Sequence, residues 1–136
     1  MAIVRAVDQT SEDWRQGVKT LLRVAGAHGA EALCLMDQWC DPGCGAPSHV
    51  HAGVEEVLLI LGGSATVTLG EESVVASTGD AVVVSPGTWH SFTNAGEEQL
   101  HILAVFADPT PPVEYVDEPG VTYTIGAQSI PHRSPS

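Results

Sequence analysis

The sequence predicts an all-β domain, a sandwich or barrel of short strands. Three observations point that way. Apolar residues make up 43% of the chain, with Ala, Val, Thr and Leu dominating between the turns. The 14 Gly and 9 Pro punctuate it too often for long helices. Apolar runs of strand length then recur at intervals of roughly eight to twelve residues, the spacing of antiparallel β folds. Nothing repeats internally and no low-complexity linker divides the 136 residues, so one domain is expected over 1–136.

Taken in order, residues 10–17 are the only stretch with room for a helical turn. Residues 18–25 and 32–39 are apolar runs flanked by Gly and Asp and read as strands. Residues 41–47 (Asp-Pro-Gly-Cys-Gly-Ala-Pro) form a turn-rich loop. Residues 56–61 are a continuous apolar strand ended by Gly62-Gly63, and 64–69 alternate polar and apolar with period two. Further short strands fall at 74–77, 81–85, 91–93 and 100–107, separated by Thr78-Gly-Asp, Ser85-Pro-Gly and Asn94-Ala-Gly-Glu-Glu. Two last strands, 113–116 and 121–125, flank Asp117-Glu-Pro-Gly, and a polar, Pro-rich tail is expected over 128–136.

Charge narrows the function classes. Five Lys and Arg stand against 17 Asp and Glu, for a net charge of −12. A nucleic-acid binder needs clustered basic residues to neutralise phosphates, and an anionic membrane surface needs a basic patch; neither is present. No apolar run approaches the roughly 20 residues that span a bilayer, and the first residues hold no long apolar segment of the secretory kind, so a cytoplasmic protein is expected. Three Cys, an odd number, do not suggest a disulfide framework. The basic residues are also unevenly placed: no Lys or Arg lies between Val24 and His132. A site built from that segment has no cation for an anionic ligand unless Arg23 leans in or a metal supplies one. A small, neutral substrate is therefore expected.

Of six His, two form His49-Val-His51. Residues i and i+2 of a strand share a face, about 6.5 Å apart, which lets two imidazoles converge on one ion. Glu55-Glu56 opens the next strand, where a carboxylate could meet both imidazoles across a hairpin. His90 follows the tight turn Ser85-Pro-Gly87 at the start of another strand. Imidazoles and a carboxylate suit one divalent transition metal, whether Fe, Mn, Ni, Cu, Co or Zn; the alternative is a surface His pair beside an acidic turn.

The spacing is Gly43, five residues, His49-x-His51, four residues, Glu56, six residues, Gly63; then Gly79, five residues, Ser85-x-Gly87, two residues, His90, three residues, Asn94. Across residues 43–94 this closely resembles the two signature motifs of the cupin superfamily, G-x5-H-x-H-x3,4-E-x6-G and G-x5-P-x-G-x2-H-x3-N. One position departs, Ser85 for Pro, and Pro86 follows at once. The resemblance implies a small cupin, a jelly-roll β-barrel, with the three imidazoles of His49, His51 and His90 and the carboxylate of Glu56 holding the metal, one or two of its positions left for water or substrate as a catalytic metal needs, and Glu56 also moving a proton. It further implies a homodimer paired through N-terminal strands. Glu55 competes with Glu56 in the shorter motif variant ending at Gly62; Glu56 is preferred because in similar cupins the ligand directly precedes the apolar strand.

Leu58, Ile60, Val82, Val84 and Phe92 share the parity of these ligands and are expected to line an apolar pocket; His101 is a further candidate for it, though a packed or outward position is the preferred reading of that residue. Cys40 and Cys44 beside His49 and His51 invite a second metal reading, but Cys-x3-Cys fits no common finger spacing. Cys34 reads as a core residue, Cys40 and Cys44 as loop thiols near the barrel mouth, and His28 and His132 as exposed turn residues. The leading functional expectation is a dioxygenase-type reaction on a neutral or apolar molecule. The rivals are a redox-neutral isomerase, lyase or cyclase, and a non-enzymatic metal- or ligand-binding module.

Overall fold

A computed structural model describes residues 3–126. The expected tail at 128–136, with His132, lies outside the described residues. Twelve strands run in order: β1 (Thr10–Arg15), β2 (Val18–Val24), β3 (Cys34–Cys40), β4 (Gly45–Val50), β5 (Glu56–Gly62), β6 (Ser64–Leu69), β7 (Glu72–Ser77), β8 (Ala81–Val84), β9 (His90–Asn94), β10 (Leu100–Phe106), β11 (Pro112–Tyr115) and β12 (Tyr123–Thr124). Two short 3-10 turns, Ala6–Asp8 and Gly26–His28, are the only helical pieces among the described residues. No helix there is long and apolar enough to cross a membrane.

The strands form two antiparallel six-stranded sheets, β1-β2-β3-β10-β5-β8 and β12-β11-β4-β9-β6-β7, in a jelly-roll barrel. Alternation does the sorting. In β10 every second residue is buried, so Leu100, Ile102, Ala104 and Phe106 face inward and His101, Leu103 and Val105 outward. Leu58 and Ile60 of β5 and Val82 and Val84 of β8 complete that wall; Ala65, Val67, Phe92 and Val113 answer from the other sheet. Cys34 lies in the core as expected, but Cys40 does too, at the end of β3, and is no loop thiol.

Gly45 shows what brings β4 against β9. A Cβ at Gly45 would run into the Phe92 carbonyl, so only glycine permits this approach. Gly43, Gly63 and Gly79, expected at chain reversals, all have positive φ, at 78°, 84° and 93°.

Two elements differ from expectation. Residues 10–17 hold no helical turn: β1 pairs with β2, because Trp14 is buried in the barrel and a strand lets it reach there. The expected strand 121–125 shrinks to Tyr123–Thr124, which pairs only with β11. His28 is half-buried rather than exposed, its Nδ1 accepting the Ala25 amide at 3.1 Å.

Candidate metal centre

Each of the four residues His49, His51, Glu56 and His90 reaches the centre from a different local context. His49 ends the inward face of β4 and pairs in register with His90, the first residue of β9. His51 lies just past β4, where the chain turns and the Val54 amide bonds the His51 carbonyl at 3.2 Å. Glu56 opens β5, which belongs to the other sheet. Glu56 therefore meets the imidazoles across the barrel interior, not across a β4–β5 hairpin as the sequence suggested: β4 pairs with β9 and β11, β5 with β8 and β10.

One ligand atom from each of the four side chains lies within 4.8 Å of every other, and all four residues are buried. Glu55 is exposed and outside the cluster. No thiol joins the cluster, so the Cys40–Cys44 metal reading finds no support among the described residues.

The hydrogen bonds fix the state of the rings. His49 Nδ1 donates to the Pro47 carbonyl at 2.7 Å, His51 Nδ1 to the Pro112 carbonyl at 2.8 Å, and His90 Nδ1 to the Thr88 carbonyl at 2.8 Å. A carbonyl only accepts, so each Nδ1 carries a proton, which leaves the Nε2 of each ring for the centre. This is the outer support that orients metal-bound His. His51 Nε2 is buried without a hydrogen-bond partner, 3.3 Å from Glu56 Oε1, and His90 Nε2 lies 2.9 Å from the same oxygen. Imidazole nitrogens and a carboxylate crowded this closely need a positive charge among them, and a divalent cation fits that donor set.

Electrostatics agree. Burial, then the neighbouring His90 and His51, pulls His49 down to about 3, against the opposing pull of Glu56. Burial pushes the Glu56 carboxyl upward, but the close approach of the His51 and His90 imidazoles, at 3.3 and 2.9 Å, outweighs it and holds it at about 2. At neutral pH the centre thus offers a carboxylate and, at His49, an unprotonated imidazole, the forms that ligate metals.

The cavity at this centre, about 30 Å³, is lined by the ligands His49, His51 and Glu56 and by Met36, Phe92, Phe106, Val113 and Tyr115. Of the apolar residues expected there, Phe92 alone lines it. Leu58, Ile60, Val82 and Val84 are buried in the same interior but are not among the residues lining this cavity. His101 is on the outer face of its sheet, where its Nε2 contacts Asp37 Oδ1 at 2.6 Å and its ring stacks on Trp39 at 4.6 Å. Arg23 does not lean in: its guanidinium pairs with Asp37 and, at 2.8 Å, with Gln9. Sequence reasoning missed Phe106, Tyr115 and Arg15 as lining residues. The alternation of residues 100–107 could have marked Phe106 as inward; nothing local marks Arg15.

A family model described as "Cupin domain" matches residues 40–106. A comparison with curated proteins gives no match. Among solved structures, an oxalate oxidase in complex with glycolate is similar at TM-score 0.68 and 20% identity, over 74% of this chain and 55% of that one. The chain thus spans about half of that relative. KdgF from Halomonas sp. is similar at TM-score 0.68 and 19% identity, over 80% of this chain and 94% of that one. The polyketide cyclase RemF from Streptomyces resistomycificus is similar at TM-score 0.69 and 22% identity, over 85% of each. These likenesses are of fold.

Proposed function

The chain belongs to the cupin family, and from that premise we propose that it is a metal-dependent enzyme acting on a small organic molecule at His49, His51, Glu56 and His90. The observation that carries this reading is the set of three Nδ1–carbonyl bonds, which leaves three Nε2 atoms beside one carboxylate. A structural zinc site is closed by its ligands; here a cavity adjoins the cluster.

The leading reaction is oxidative, of the dioxygenase type, and an oxalate oxidase among similar folds supports an oxidative assignment. A bound divalent metal would polarise a substrate oxygen and leave a position for a second reactant. The chain's own part is to hold, dry and deprotonate. Phe92, Phe106 and Val113 exclude water from the ligand cluster. The imidazoles spend one nitrogen on a carbonyl and one on the centre, so Glu56, with two oxygens, is the group left to take a proton from a substrate hydroxyl. A redox-neutral reaction is the second reading, favoured by the likeness to RemF, a polyketide cyclase covered over most of its length.

The test is metal analysis of protein purified without chelator, then oxygen uptake with diketones, phenols and 2-oxo acids. About one transition metal per chain with substrate-dependent oxygen consumption is expected. Turnover without oxygen uptake would select the redox-neutral reading, and a protein that takes up no metal on reconstitution would overturn both.

A further inference from the structure

Arg15 is a cation at the pocket. It ends β1, in the segment before the stretch devoid of Lys and Arg. In a regular strand Trp14 and Arg15 would face opposite ways. The β1–β2 register shifts between Glu12 and Arg15, and such an irregularity re-aims side chains. Both residues consequently line the cavity that holds His49, His51 and Glu56. The guanidinium carbon stands 4.9 Å from the centre of the Tyr115 ring, and that ring lies 5.6 Å from the His49 ring. Laid end to end, those separations place the guanidinium at most 10.5 Å from the His49 ring.

Arg15 Nη2 is shut off from solvent and has no hydrogen-bond partner among the described residues. That is anomalous in a chain with 17 Asp and Glu. A buried guanidinium N–H without an acceptor is unfavourable, and a ligand that brought one would relieve it. Arg15 also borders an open groove of about 460 Å³ with Asp13, Lys19, Trp39 and Asp41. It thus stands between the small inner cavity and open space large enough for the rest of a ligand.

We propose that Arg15 is the anion-binding residue of this pocket, taking a carboxylate at one end of a small acid whose other, oxygen-rich end faces His49, His51 and Glu56. The inference rests on the metal-centre reading above and reverses the expectation of a neutral substrate. That expectation followed from the missing basic residues between Val24 and His132; the fold brings in a cation from outside that stretch.

The test compares two 2-oxo acids that share a chelating end and differ at the other: 2-oxoglutarate, with a distal carboxylate, and 2-oxovalerate, without one. Metal content is measured first, then both are titrated calorimetrically into metal-loaded wild type, Arg15→Gln and Arg15→Lys. The wild type should prefer 2-oxoglutarate at least about tenfold. Arg15→Gln should abolish the preference with metal content unchanged, and Arg15→Lys, a point charge without the planar fork, should retain part of it. Glutarate titrated into chelator-treated protein asks about the anion site alone: binding that Arg15→Gln removes supports the proposal even if the metal reading fails. Equal affinities in the wild type, a preference that survives Arg15→Gln, or an Arg15→Gln protein that loses metal and thermal stability without ligand would each overturn it.

Discussion

Glu56 Oε1 and His90 Nε2 meet at 2.9 Å from opposite sheets of the barrel. The centre is therefore also a clasp between the sheets, with three imidazoles on one side and the carboxylate on the other. Substitutions there should register in metal binding and in stability to different degrees.

The two adjacent glutamates provide the sharpest contrast. Glu56→Gln keeps the shape but removes the negative charge, and metal affinity should fall by at least about tenfold, the scale seen when groups supporting a metal site are lost. Glu55 is exposed, and Glu55→Gln should leave affinity within about twofold. Competition titration with a chromogenic chelator measures both; equal losses would contradict the assignment.

Metal-free protein should lose stability progressively on acidification. The unfolded chain protonates His49 near its ordinary 6.5, whereas the folded chain withholds that proton down to about 3. In that window the unfolded state binds more protons, so stability rises with pH and falls as pH is lowered. Glu56 acts in the same direction between its ordinary 4.5 and about 2, steepening the loss. Calorimetric midpoints in EDTA should decline from pH 6.5 downward, and His49→Gln should flatten the upper part of the decline. A midpoint independent of pH between 6.5 and 4 would contradict this.

Phe106 is fully buried and its ring stands T-shaped to that of His51, with centroids 4.8 Å apart. Phe106→Ala should destabilise the fold by about 3–5 kcal/mol through the cavity it leaves. Phe106→Leu should recover much of that. Denaturant unfolding distinguishes these from a surface substitution, which would change stability by less than about 0.5 kcal/mol.

The thiols should divide into two classes. Burial pushes Cys34 and Cys40 up to about 12, helped at Cys34 by Glu12, Asp108 and Glu56 and at Cys40 by Cys44 and Asp41. At pH 8 each is then roughly one part in ten thousand thiolate, the reactive form. Of the three Cys, Cys44 alone is not buried. An aromatic disulfide reagent should titrate one thiol in native protein and three after denaturation; rapid modification of two or more native thiols would refute the burial argument.

Much of this was legible in the residue order, and for a physical reason: the strand period and the turn chemistry are local. Alternation at 64–69, the apolar run at 56–61 and the Gly-Pro punctuation mark strands without knowledge of their partners. His49-x-His51, Glu56 and His90 stand at spacings the sequence displays directly. Pairing is not local. Nothing in residues 49–56 says that β4 and β5 enter different sheets, so the carboxylate was expected across a hairpin and arrives across the barrel. Parity alone could not separate the lining of the cavity from the core beneath it, and so Leu58 and Ile60 were expected where Phe106 and Tyr115 stand. His101, at odd parity in β10, takes the outward position preferred for it over the pocket and faces Asp37 and Trp39. Arg15 is the clearest case. The sequence determined that the central segment holds no cation; only the irregular pairing of β1 with β2, a long-range contact of the folded chain, turned a guanidinium from outside that segment toward His49.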